Sequence, residues 1–118
     1  MMFEAIDKVR DLRKRYNYKM FSSGVGAFRA FEEMEADVLK DGALPRKHKE
    51  LISLAISIVS SCYGCIEYHT TQALENGATR AEIAEAAALA VCLGGGTVQW
   101  PARYVFDVLE QLEQEKSK

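Results

Sequence analysis

The sequence predicts an all-α fold of about six helices, and three observations carry that expectation. Apolar residues recur three and four positions apart in each long segment, which is the repeat of a helix that buries one face. No segment shows the two-residue alternation of a half-buried strand. Helix-breaking clusters fall between the periodic segments, at Ser22-Ser23-Gly24, Asp41-Gly42, Asn76-Gly77 and Gly94-Gly95-Gly96. With 118 residues the chain has the length of one domain, expected to span 1–118.

The first helix is expected over residues 3 to 19, where Phe3, Ile6, Val9, Leu12 and Tyr16 share a face. A second runs from Val25 to about Lys40, with Phe28, Phe31, Met34, Val38 and Leu39 as its apolar side. Gly42 is expected to end it in the left-handed conformation. Pro45 suits the first turn of a third helix, since its missing N–H would have no partner there. From Leu51 to Val59 this helix is apolar on nearly every side, which predicts a buried central element.

Ser60-Ser61 can cap a fourth helix that begins at Cys62 and continues through Ile66, Ala73 and Leu74 to Asn76-Gly77. Thr79 and Glu82 have the three-residue spacing of a capping box, opening an alanine-rich helix that runs to about Leu93. Its small residues, Ala86, Ala87 and Ala90, allow another helix to approach closely. A last helix follows the glycines, with Val98, Ala102, Val105, Phe106, Leu109 and Leu112 inward and Pro101 in its first turns.

Composition narrows the function. A formal net charge of −2, with 48% hydrophobic and 27% charged residues, describes an ordinary globular chain and supplies no field for nucleic acid. The six basic residues among the first twenty are interleaved with Glu4, Asp7 and Asp11, as on a solvated helix face. The N-terminus lacks the basic region and apolar core of a signal peptide, and no run approaches the length of a membrane span. The expectation is a cytoplasmic protein that engages neither nucleic acid nor membrane. In that reducing setting a close cysteine pair points to catalysis or metal binding.

Chemistry-bearing residues gather in Cys62-Tyr63-Gly64-Cys65-Ile66-Glu67-Tyr68-His69, which holds two of the three cysteines and one of the two histidines. On a helix, positions 62, 65 and 69 lie on one face. Such a cluster can hold a disulfide, activate a thiolate or bind a metal. A thiol of ordinary acidity is only about 3% thiolate at pH 7, and lowering its pKa by two units makes it about 75% thiolate. Cys62 can gain from the positive end of the helix dipole, and Cys65 from a proton acceptor at His69 one turn further on. Glu50 is the carboxylate selected to orient that histidine.

The segment from Arg46-Lys47-His48-Lys49-Glu50-Leu51-Ile52 through the Cys62–His69 cluster, and on through Gly77-Ala78-Thr79 and the glycine run, resembles the carboxymuconolactone decarboxylase family, in particular its alkylhydroperoxidase D-like branch. The resemblance covers roughly residues 25 to 112. It implies an alkylhydroperoxidase D-like helical fold, a homo-oligomer (trimer or hexamer) and thiol-dependent peroxide reduction. Glu50, Cys62, Cys65 and His69 match the branch's glutamate, C-x-x-C pair and histidine. By that resemblance Glu50 and His69 relay a proton from Cys65, whose thiolate attacks a hydroperoxide. The resulting sulfenic acid condenses with Cys62, and a dithiol donor protein or small thiol reduces the disulfide.

Gly64 departs from the pattern, standing where the alkylhydroperoxidase D proteins have a further histidine. The relay implied here is therefore Glu50 and His69 alone. The decarboxylases that name the family generally lack the cysteine pair, so its presence argues against lactone decarboxylation. A family member of other activity, or a non-catalytic helical protein binding zinc or a ligand through the same four residues, is the alternative reading. No resident cofactor is expected, and haem attachment fails because Ile66 follows Cys65. His48 reads as a solvated first-turn residue and Cys92 as a small buried hydrophobe.

Overall fold

The computed structural model describes residues 5–117. They form α1 (Ile6–Phe21), α2 (Gly26–Leu39), α3 (Arg46–Val59), α4 (Tyr63–Glu75), α5 (Arg80–Gly94), a 3-10 turn at Gly96–Val98 and α6 (Gln99–Lys116). Among the described residues the fold is all-α, with six helices as expected. Phe3, assigned to the first helix by its spacing, lies outside the described residues.

Helix α3 packs against α4 and α5, α6 packs against the same pair, and α1 packs against α4. Leu54 and Ile58 of α3, Ile66 of α4, Ile83 of α5 and Tyr104, Val105, Val108 and Leu109 of α6 fill the space between them, each at most 1% exposed. Ala87, Ala90 and Ala102 keep these helix axes close, as the small-residue pattern requires. Gly94 belongs to the same packing, since a Cβ there would come within 2.8 Å of the Val98 side chain and 3.1 Å of Val59.

Polar clamps supplement this core. Glu67, fully buried on α4, accepts hydrogen bonds from Arg10 at 3.3 Å and Arg13 at 3.1 Å, both on α1. Two guanidinium groups compensate the desolvation of one carboxylate, so α1 is fastened to the helix that carries the cysteine cluster.

Four sequence expectations change. Gly42 is not left-handed: α2 ends at Leu39, its C-cap Lys40 is extended, and Asp41 instead accepts the Arg46 N–H at the start of α3. Helix α3 is buried on one side only, because Ile52, Ile56 and Val59 are half exposed. Phe106 points outward on α6 while Val105 and Val108 face the core. Cys92 is exposed on the outer side of α5, since Ala87, Ala90 and Val91 supply that helix's inward face.

The capping box forms as the spacing predicted. The Thr79 hydroxyl accepts from the Glu82 N–H at 3.1 Å, and the Glu82 carboxylate accepts from the Thr79 N–H at 2.9 Å. Glu82 also pairs with Lys47 at 3.0 Å, joining α5 to α3. The Thr79 backbone N–H, followed by Lys47, holds the Glu82 carboxyl below its ordinary value. A depressed folded-state value means the contribution is present above the unfolded carboxylate range and lost as pH falls through the folded one. Thr79→Ala should therefore cost about 1 kcal/mol in urea unfolding at neutral pH. The penalty of Glu82→Ala should shrink on acidification; a penalty that is constant down to strongly acidic pH would contradict this origin.

Candidate functional site

The site is built where α3 hands the chain to α4. Helix α3 closes with the Ser60 N–H on the Ile56 carbonyl, and Ser61 takes a left-handed conformation with φ 54°. The Cys62 N–H then donates to the Ser57 carbonyl at 3.0 Å, which completes a tight turn. This overturns the expected serine cap. Ser60 and Ser61 are consumed in ending α3, and Cys62 itself is the N-cap of α4, its sulfur accepting the Cys65 N–H at 3.3 Å.

Cys62 and Cys65 are joined in a disulfide, with Cα atoms 5.2 Å apart. The N-cap position places the Cys62 sulfur at the positive end of the α4 dipole, where negative charge on sulfur is stabilised. His69 follows Cys65 by one turn on the same face of the helix. Its ring is mostly buried, and Nδ1 lies 2.7 Å from Oε1 of Glu50.

Glu50 is fully buried in the second turn of α3. Its second oxygen, Oε2, accepts a hydrogen bond from Nε of Arg46 at 3.1 Å. Both carboxylate oxygens are thus engaged, one by the imidazole and one by a guanidinium. With Glu50 as carboxylate, Oε1 accepts from Nδ1–H, and Nε2 is the ring nitrogen left with a lone pair. That is the tautomer a base acting on a neighbouring thiol requires.

Tyr68 stands beside this pair, its ring edge-on to His69 at 5.2 Å between centroids and under the Arg13 guanidinium at 4.8 Å. Burial, with the negative charges of Glu50 and Glu35, raises the Tyr68 phenol above its ordinary value, so it remains a neutral hydrogen-bond donor. Tyr63 has a packing role, meeting Tyr104 edge-on at 5.3 Å. Trp100 is 40% exposed and carries Arg103 over its ring.

The structure therefore brings Glu50 to His69 and joins Cys62 to Cys65 at the head of the same helix. As arranged, the two sulfurs are bonded to each other and both Glu50 oxygens are occupied. Among the described residues no three His, Cys, Asp or Glu side chains converge as metal ligands. At Gly64 an added Cβ would meet nothing within 4 Å, so packing does not dictate the glycine there. Sequence reasoning missed Arg46 as a member of this group. Its four-residue spacing from Glu50 was the available signal.

Comparison with known proteins gives the class. The family model described as the carboxymuconolactone decarboxylase family matches residues 26–108, and the chain belongs to that family. It is 35% identical to a Thermotoga maritima protein of known crystal structure, with a TM-score of 0.87 over 94% of this chain and 98% of that one. A second Thermotoga maritima crystal structure superposes with a TM-score of 0.85 at 33% identity, covering 93% of each chain; it is described as a family protein with a possible part in an antioxidative response. A family protein from Legionella pneumophila, crystallised in its apo form, superposes with a TM-score of 0.84 at 28% identity over 90% of this chain and 95% of that one. An uncharacterized Cupriavidus necator protein is 40% identical over 59% of this chain, and the match spans 62% of that relative's length. Among the described residues, no helix is long and apolar enough to cross a membrane.

Proposed function

We propose that this chain is a thiol-dependent oxidoreductase that uses Cys62 and Cys65 to reduce hydroperoxides or a partner disulfide. The observation that carries the reading is the bonded cysteine pair at the head of α4, one turn from an imidazole held by a buried carboxylate. The antioxidative association of the Thermotoga maritima relative points the same way.

In the peroxide reaction His69 Nε2 takes the Cys65 proton, and the thiolate sulfur attacks one peroxide oxygen. The O–O bond breaks, sulfur is oxidised to the sulfenic acid, and the departing alkoxide receives the proton from His69. The Cys62 thiol then displaces water from that sulfenic acid to form the disulfide. A dithiol protein or small thiol supplies two electrons and two protons to restore the thiols. A cytoplasmic setting, where such donors are kept reduced, suits this cycle.

We assign the attack to Cys65 and the resolving role to Cys62 on their places in the helix. Cys65 has the base one turn away, whereas Cys62 sits at the helix end, where a resolving thiolate gains from the dipole. An added Cβ at Gly64 would meet nothing within 4 Å, and with no histidine at that position the proposed relay consists of Glu50 and His69.

The test is a free-thiol count on the fully reduced protein before and after one equivalent of hydroperoxide at neutral pH. Three thiols should fall to one, the remaining one being Cys92. Cys62→Ser should trap a sulfenic acid at Cys65, Cys65→Ser should abolish the reaction, and His69→Ala should slow it by about 100-fold. Three thiols surviving peroxide would end the peroxidase reading.

The same reading includes a homo-oligomer, a trimer or hexamer. Phe31, Met34 and Val38 on α2 and Ile52 and Ile56 on α3 are each 49–61% exposed, and only Leu39 of α2 is buried. These exposed apolar side chains suit burial against further copies. Light scattering across a concentration series should give three or six times the chain mass, and Phe31→Glu should lower it. A monomer at all concentrations would contradict the assembly.

A further inference from the structure

We propose that Arg46, held by Gln72, is a positioning residue that sets the Glu50 carboxylate and through it the His69 base; the proposal rests on the relay described above. Arg46 is the first residue of α3 and is fixed at both of its ends. Its backbone N–H donates to Asp41 Oδ1 at 2.6 Å, which satisfies a donor that the helix start leaves free. Its guanidinium spans two helices, with Nε on Glu50 Oε2 at 3.1 Å and Nη2 on Gln72 Oε1 at 3.1 Å.

Gln72 lies on α4, three residues beyond His69 on the same side of the helix. The guanidinium therefore connects the carboxylate to the very helix whose imidazole that carboxylate must meet. Gln72 is itself tethered, its Nε2 donating to Glu75 and its backbone carbonyl accepting from the Asn76 side chain at 2.8 Å. The arrangement runs from α4 through Gln72, Arg46 and Glu50 and back to α4 at His69, a closed circuit of hydrogen bonds.

A fully buried carboxylate with one oxygen unpaired would be costly and free to rotate. Arg46 removes both problems, because Nε engages Oε2 and leaves Oε1 aimed at Nδ1. The charged and titratable neighbours of the pair include Tyr68 on α4, with Glu35 of α2 and Arg13 of α1 acting on that phenol. The 2.7 Å contact to Oε1 of Glu50 is made by His69, and none of these groups makes it. Lysine at 46 would keep the charge but, as a point donor, could not hold both acceptors in one plane.

The experiment uses the reduced full-length protein and measures iodoacetamide alkylation of Cys65 by mass spectrometry over a pH series. Cys92, exposed on α5, serves as the reference thiol in every tube. Arg46→Ala should slow Cys65 alkylation at neutral pH by about tenfold, the worth of one charged hydrogen bond, and move its pH profile upward while leaving Cys92 unchanged. Guanidinium ion at low millimolar concentration should restore part of the rate, and Arg46→Lys should fall between Arg46→Ala and the parent. Gln72→Ala should act in the same direction by a smaller factor. An Arg46→Ala protein with the parental Cys65 profile would overturn the positioning role alone. A parent protein in which Cys65 reacts no faster than Cys92 would instead overturn the relay on which it rests.

Discussion

A fully buried carboxylate organises this molecule. Glu50 can stay in the interior only because both of its oxygens are paired, and the two partners come from different places in the chain: Arg46 from its own helix and His69 from the next. Meeting those partners fixes how α3 and α4 lie together. The same crossing sets the short Ser60-Ser61 turn and leaves Cys62 at the head of α4. The apolar core and the candidate redox site thus share one constraint.

A second buried carboxylate, Glu67, has a different task on the same helix. Its partners are two arginines of α1 and the Thr71 hydroxyl of its own helix. Two acids seventeen residues apart are equally buried and both are ionically paired. What separates their roles is the partner: guanidinium groups give a static clamp, whereas an imidazole gives a group that can take and return a proton. Arg13 links the two regions by covering the Tyr68 ring, which also meets the His69 ring.

Much of the fold was legible in the sequence because helix periodicity and caps are local. The Thr79–Glu82 box and the break at Asn76-Gly77 were read correctly for that reason. The exposed sides of α2 and α3 were not, because periodicity identifies an apolar face without saying what covers it. Phe31, Ile52 and Ile56 look like core residues in the sequence and lie open on the single chain. The serine cap failed because two helices met at a turn too short to spare a residue, and Cys62 took the position. In the site, the spacing of Cys62, Cys65 and His69 was visible, whereas periodicity alone could not identify Glu50, which was chosen as the carboxylate for His69 and then matched by the family resemblance. Arg46 and Gln72 escaped notice because their roles exist only once α3 and α4 are side by side.

The buried Glu50 carboxylate meets His69 through Nδ1, so the base proposed for Cys65 is Nε2. Nitrogen-15 NMR of the histidine rings in the reduced protein reports the tautomer directly. The expected result is the tautomer protonated on Nδ1, a preference lost in Glu50→Ala. A His69 ring protonated on Nε2 in the reduced parent protein would contradict it.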